Sequence, residues 1–327
     1  MIPFQYVRPA RQKAAIDVLT RDANAMFVAG GTNLIDLMKR NVMNPEKLVD
    51  INQLPLRAIE QVKGGVRIGA LVSNTALAED KLIKEKYPLL SQALVSGASA
   101  QLRNMATVGG NIMQRTRCYY FYDTALPCNK REPGSGCGAL EGINRMHAIF
   151  GFSDKCIAVH PSDMSVALAA LDATVRVSGP KGERSIPFTD FHRLPADQPE
   201  KDTNLGRDEL ILSVFIPDTP FASNAHYLKV RERASFAFAL ISVAAALDIS
   251  NNTILDARLA MGGVAHKPWR LLEAEKILKG KAISEETFSQ AAVVAMQGAK
   301  AFEHNAYKIK LGPATIVQAL KNAVAMV

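Results

Sequence analysis

The 327-residue chain has few aromatic residues (6% Phe, Tyr and Trp), a single tryptophan and only four cysteines. The length rules out a disulfide-built miniprotein and calls for two or three packed units. Nearly uncharged stretches such as Phe236 to Leu247 fall short of the roughly 18 apolar residues a membrane-crossing helix needs, so no membrane span is expected. Met1-Ile2-Pro3-Phe4-Gln5-Tyr6 lacks a basic leader followed by an apolar core, so the start does not read as a secretory signal. Basic runs are missing too: 39 Lys and Arg are interspersed with 31 Asp and Glu, giving +8, a pattern that argues against nucleic-acid binding. Neither G-x-G-x-x-G nor a Walker loop occurs, which removes the usual dinucleotide and nucleotide fingerprints.

What is present is a globular composition, 48% hydrophobic and 21% charged, arranged in alternating short apolar runs and amphipathic stretches. Strands are expected at Ala25 to Ala29, Val66 to Ala70, Thr174 to Ser178 and Glu209 to Ile216. Helices are expected at Asn33 to Arg40, Leu89 to Val95 and Ser165 to Leu171. After about residue 222 the pattern changes to strands at Tyr227 to Arg231, Leu240 to Ile249 and Ile254 to Gly262. Helices then follow near Leu271, at Glu285 to Phe302 and at Thr315 to Val324. A long segment, about 115–160, is turn-rich and reads as a functional loop.

Two glycine pairs carry the first chemical signal. Ala29-Gly30-Gly31-Thr32-Asn33 joins a strand to a helix, where bare backbone and converging N–H groups suit an anion. Thr107-Val108-Gly109-Gly110-Asn111 repeats the combination of hydroxyl, glycine pair and amide. Alone, each sequence fits a structural turn as well as a ligand loop; as a pair they suggest two sides of a diphosphate.

Cys118, Cys128, Cys137 and Cys156 all lie in the turn-rich segment. Their spacing lacks the C-x-x-C knuckles of structural zinc sites, and disulfides suit an exported chain better. Four thiolates on a flexible loop can wrap a 4Fe-4S cluster without regular spacing. Zinc, disulfides and free thiols stay open on this evidence. Arg115, Arg117, Lys130, Arg131 and Arg145 are available as counter-charge, and the N–H groups of Gly134, Gly136 and Gly138 as donors to sulfur. The six histidines show no metal-ligand spacing and read as structural or exposed, with His160 the one nearest a candidate site. Trp269 reads as a packing residue.

These motifs, with Pro161-Ser162-Asp163, Lys229-Val230-Arg231 and Met261-Gly262-Gly263-Val264-Ala265, resemble the FAD-binding medium subunits of molybdenum hydroxylases, the xanthine and carbon monoxide dehydrogenase group. The cysteine segment, from Gln114-Arg115-Thr116-Arg117-Cys118 to Pro133-Gly134-Ser135-Gly136-Cys137, looks like the insertion in the FAD subunit of bacterial periplasmic aldehyde oxidoreductases. The resemblance implies an α+β fold: a two-part FAD-binding domain of the vanillyl-alcohol-oxidase type over 1–222, bearing the cysteine loop, then a smaller α+β domain over 223–327. It implies FAD held by Met26, Phe27, Val28, Ala29, Gly30, Gly31, Thr32, Asn33 and Leu34 and by Thr107, Val108, Gly109, Gly110 and Asn111. Asp163, Ile211 or Leu212, and Lys229 would lie near the flavin or the ribose. Without the resemblance, Asp163 would read as a helix cap, Lys229 as a solvated face residue and Leu212 as core.

The four cysteines would hold 4Fe-4S. Implied partners are a molybdopterin-binding large subunit, a 2Fe-2S small subunit and an external electron acceptor. No catalytic side chain is expected in this chain beyond the flavin. Synthesis would be cytoplasmic, with a route to the periplasm through a partner carrying a twin-arginine signal. The alternatives are the FAD subunit of a xanthine or purine dehydrogenase, an FAD oxidase acting alone, and a zinc-binding assembly module.

Overall fold

Three sheets organise the computed structural model, which describes residues 1–325. The first is parallel and three-stranded, in the order Gln5–Val7, Lys47–Asp50, Ala25–Val28. Its strands are short and their connections cross over through Gln12–Arg21 and Leu34–Lys39, the arrangement parallel pairing demands. The second is antiparallel and five-stranded, in the order Ile59–Val62, Gly65–Gly69, Leu210–Pro217, Thr174–Gly179, Gly182–Pro187. The third is antiparallel and four-stranded: Trp269–Arg270, Thr253–Gly262, Ile241–Ser250, Ala225–Val230. Asn251 and Asn252, both at positive φ, make the tight turn of its long central hairpin.

Helix Asp163–Ala170 is buried along its whole length. Its small residues let it pack between the four-stranded sheet and helix Pro88–Ser96, and Val166 to Ala170 join the core that runs from Val66 to Ala260. A second core, from Ile149 to Ala323, packs Leu272–Leu278, Glu285–Ala295 and Tyr307–Val324 on the other face of the four-stranded sheet.

Most expected elements are present, with three displacements. The helix expected to run to Phe302 stops at Ala295, because the chain turns at Gly298, whose φ is +79°. The last helix begins at Tyr307, eight residues before Thr315, and carries Pro313 inside it. Residues 107–111, expected as a turn, form the one-turn helix Val108–Ile112 capped by Thr107 Oγ1, which accepts from Gly110 N–H at 3.1 Å.

Among the described residues, no helix is long and apolar enough to cross a membrane.

Candidate cofactor groove and four-thiol cavity

Strand Ala25–Val28 delivers Ala29 to Asn33 to the mouth of a cavity of about 490 Å³ lined by Met26 to Leu34, Thr107, Gly109, Gly110 and Ile211. Thr32, Asn33 and Gly110 also line a second cavity of about 510 Å³, which continues past Asn111 to Asp163 and Lys229. The two cavities therefore share a wall made of both glycine segments and form one elongated groove.

Each glycine has its own reason. At Gly30 a Cβ would sit 1.8 Å from Met105 O, so the first turn is pressed against the backbone before the second segment. Gly31 adopts φ +72°, which an L side chain resists. A Cβ on Gly110 would meet only Thr107 Oγ1, at 3.0 Å, and would otherwise project into the groove.

Hydrogen bonding makes the two segments unequal. Among the described residues, the N–H groups of Gly31, Thr32 and Asn33 have no protein acceptor. Those of Val108, Gly109, Gly110 and Asn111 are taken, by Val72 O, Ala70 O, Thr107 Oγ1 and Thr107 O. The expectation of backbone donors from both sides thus needs correction: the first turn supplies donors and the second supplies bare surface. Asn33 Oδ1 accepts from Arg115 N–H at 2.8 Å, while its Nδ2 is buried without a partner beside the groove. An orphaned buried donor, three unpaired amides and a glycine wall fit the diphosphate of a flavin nucleotide.

Further along, Lys229 Nζ lies 2.7 Å from Asp163 Oδ2, and Tyr227 Oη donates to Asp163 Oδ1 at 2.8 Å. Burial raises the Asp163 carboxyl above its ordinary value, against the pull of Lys229 and Tyr227. Two plain readings are corrected here. Lys229 is buried rather than solvated, because Ser96 O and Asp163 satisfy its ammonium group. The helix cap is Ser162, whose Oγ accepts from Ser165 N–H at 3.0 Å, and Asp163 is the first helical residue. Ile211 lines the groove; Leu212, next along the strand, packs in the core with Ala15 and Leu19. Val108 is likewise a core residue.

A third cavity, about 460 Å³, shares Arg117, Met146, Pro161, Ser162, Asp163 and Phe238 with the groove and reaches Cys118, Tyr120 and His147. Beyond it lies a small cavity lined by Cys118, Cys128, Cys137 and Cys156 together, all four unbridged. Backbone folding creates this convergence: isolated bridges pair Cys128 with Cys137 and Ser153 with Cys156. Burial pushes the Cys118 thiol up to about 12 and Cys156 to about 11, each raised further by neighbouring cysteines.

The donors to sulfur differ from those expected. Gly134 and Gly136 N–H donate to Asn129 Oδ1, and Gly138 N–H to Pro127 O. Backbone N–H groups at Tyr120, Ala139, Ile157 and Ala158 lie near the sulfurs of Cys118, Cys137 and Cys156 instead, while Phe121 and Leu140 N–H donate to the carbonyls of Cys118 and Cys137.

The basic residues read as counter-charge are largely engaged in structure. Arg131 donates to the carbonyls of Tyr120, Phe121, Asp123 and Leu126. Lys130 and Arg115 converge on Asp202, at 2.6 and 2.7 Å, and these two cations hold its carboxyl well below the usual carboxylate range. Arg145 pairs with Glu232 at 2.7 Å. Arg117 donates to Tyr122 Oη at 2.8 Å and lies over the Phe238 ring.

His147 and His266, set aside on spacing grounds, stand against two of the cysteines; their separations of 29 and 110 residues from those partners left no local signal. Burial lowers His147 to about 4 and His266 well below its ordinary value. His160 lines the third cavity and packs on His192, ring centroids 4.2 Å apart. Trp269 stacks on Phe150 of the cysteine segment, centroids 5.1 Å apart, consistent with packing.

Comparison with known proteins brings these observations together. Residues 2–219 match the family described as the FAD binding domain in molybdopterin dehydrogenase, and residues 226–323 the CO dehydrogenase flavoprotein C-terminal domain. The chain is 46% identical over 327 residues to the aldehyde oxidoreductase FAD-binding subunit of Escherichia coli, covering 99% of each. It is 32% identical over 284 residues to the glyceraldehyde dehydrogenase medium chain of Sulfolobus acidocaldarius, covering 86% of this chain and 83% of that one. Among solved structures, carbon monoxide dehydrogenase from Hydrogenophaga pseudoflava superposes with a TM-score of 0.78 at 25% identity, covering 100% and 99% of the two chains. With its groove, its two matched domains and its full-length relatives, this chain belongs to the FAD-binding subunits of the molybdenum hydroxylase family, and is an oxidoreductase subunit.

Proposed function

We propose that this chain is the FAD- and 4Fe-4S-carrying electron-transfer subunit of a molybdenum-dependent aldehyde oxidoreductase. The observation that carries the reading is the single small cavity walled by all four cysteines, which adjoins the cavity leading to the groove. Asn33, the free amides of Gly31 to Asn33 and the bare face of Gly110 would hold the FAD diphosphate; Asn111, Ser162 and the Asp163–Lys229 pair would line its continuation.

A polynuclear cluster fits the thiols better than one ion. A tetrahedral zinc needs its sulfurs about 2.3 Å from a shared point. Among the described residues no group of three or more His, Cys, Asp or Glu side chains is placed to hold a single metal ion. Four thiolates lining one small cavity match the donor set of an iron–sulfur cube. When bound, the flavin supplies acceptance of electron pairs and release of single electrons, and the cluster single-electron transfer.

The chain's own residues bind and orient these groups. Gly31 to Asn33 donate to negative charge, buried Asp163 fixes the Lys229 ammonium at the groove wall, and the buried segment around Cys128 and Cys156 keeps water from the thiolates. The substrate centre and the 2Fe-2S clusters would then belong to large and small partner subunits, and an external acceptor would take the electrons. The 46% identity to an aldehyde oxidoreductase subunit favours aldehyde over purine substrates, since the xanthine dehydrogenase FAD-binding subunits of Escherichia coli stand at 27%. A division near residue 222 and a periplasmic destination reached with a partner belong to the same reading; the separate four-stranded sheet after Ala225 supports the division.

The test is composition and coupling. The complex purified with its partners should show flavin absorbance, four irons and four acid-labile sulfides beyond those of the partner's 2Fe-2S clusters, and flavin bleaching on addition of an aldehyde. Cys128→Ser should lose those additional irons and sulfides while retaining FAD and the partner's 2Fe-2S iron. A colourless, zinc-containing protein would overturn the proposal.

A further inference from the structure

Two of the four thiols have a neighbour besides the cavity they share. His147 Nε2 lies 3.1 Å from Cys118 Sγ, and His266 Nε2 lies 3.3 Å from Cys156 Sγ. Neither imidazole lines the four-sulfur cavity, so neither competes to ligate its contents.

The proton on each ring can be assigned from what surrounds it. The Nδ1 atoms of both His147 and His266 are buried and unpartnered. A neutral imidazole carries one N–H. Placed on Nδ1, that N–H would be an orphaned buried donor, the costlier kind of unsatisfied group. Placed on Nε2, it points at sulfur and leaves only a bare acceptor behind. Sulfur must then accept, a role that a thiolate fills well and a thiol poorly.

Both rings are aimed by the C-terminal part of the chain. Lys308, fully buried, donates from Nζ to His147 O at 2.8 Å and to Gly263 O at 2.7 Å. Asn305 Nδ2 donates to His147 O and Ala148 O, and His304 N–H to Asn144 Oδ1. His266 itself lies just past strand Thr253–Gly262, in a segment whose Val264 O accepts from Ile149 and Phe150 N–H.

We propose that His147 and His266 are positioning residues that donate Nε2–H hydrogen bonds to the Cys118 and Cys156 thiolates and thereby raise the reduction potential of the cluster those thiolates hold. The inference rests on the 4Fe-4S reading. Hydrogen bonds to ligand sulfur withdraw electron density and favour the reduced, more negative cluster. This gives the C-terminal domain a task beyond packing: it orients two of the dipoles around an iron–sulfur site in the other domain.

The experiment is an EPR-monitored redox titration of the purified complex, with iron and sulfide counted in every sample. His147→Leu and His266→Leu should keep the cluster and shift its midpoint to lower potential, the double variant further than either. His147→Gln, which retains an N–H donor, should return the midpoint toward wild type. Loaded Leu variants with an unmoved midpoint, or a Gln variant as low as Leu, would overturn the hydrogen-bond role. In wild-type protein labelled with 15N-histidine, pulsed EPR of the reduced cluster should show weak nitrogen coupling. This arm is independent of how the variants fold, and absence of coupling also overturns the inference. A wild-type complex with no iron and sulfide beyond that of its 2Fe-2S clusters would instead refute the 4Fe-4S cluster itself.

Discussion

Lys229 and Asp163 form an ion pair 2.7 Å long in which the side chains are only 3% and 8% exposed. Attraction at that distance is strong because little water screens it, but each charge depends on the other for compensation. Lys229→Met should leave a carboxylate stranded beside Tyr227 and cost about 3–5 kcal/mol of stability, read as a lower midpoint in urea unfolding. Wild-type stability in that variant would show that the pair contributes nothing in solution.

Gly110 and Gly30 should fail differently. Gly110→Val places a branched side chain in the groove with little protein to displace, so the chain should fold, with near-native circular dichroism, and bind FAD at least tenfold more weakly. Gly30→Val collides with Met105 O and should cost about 1–3 kcal/mol or more of fold stability even before flavin is added. Full flavin occupancy in Gly110→Val would remove the second glycine segment from the site.

Asp202 predicts an acid limb. Its carboxyl sits well below the ordinary value because Lys130 and Arg115 flank it. A carboxylate with a depressed folded-state pKa contributes its full stability above its unfolded value, near 4, and loses that contribution as pH falls toward the folded value. Stability measured from pH 6 down to pH 2 should therefore fall below about pH 4. Asp202→Asn should be less stable at pH 6, with a flatter profile across that window. Parallel profiles would exclude Asp202 as the group responsible.

Ser162 both caps helix Asp163–Ala170 and donates from Oγ to Asn111 Oδ1 at 2.7 Å. Ser162→Ala should cost about 1 kcal/mol of stability, the ordinary price of an N-cap. It should also weaken FAD binding by removing one of the two donors, the other being Gln114 Nε2, that hold Asn111 Oδ1 at the groove, and Ser162→Thr should restore both. If thermal unfolding and flavin titration of the alanine variant match wild type, the dual role is wrong.

Strand and helix identities were legible from period and turn chemistry wherever the pattern was local, as at Ala25 to Ala29 or Leu240 to Ile249. Pro313 hid the start of the last helix, since proline reads as a break, yet the helix face around Ile316, Ala319 and Leu320 packs in the core and outweighs it. The thiol cluster was visible from composition alone, because all the cysteines occupy one segment. Its hydrogen-bond donors were not: Asn129 claims two of the glycine amides, a competition no spacing rule reveals. Likewise Asp163 and Lys229 are 66 residues apart, and burial turned a residue type usually found in water into the partner of a carboxylate.

Met105 O leaves no room for a side chain at Gly30, so the two lips of the groove are seated on each other as the chain folds. A nucleotide arriving there finds a rigid cleft rather than two loops that must be gathered. The ordering entropy has already been spent in folding, which leaves more of the contact energy available as affinity. Exchange of the bound nucleotide should accordingly be slow, and limited by escape from the cleft instead of by loop opening.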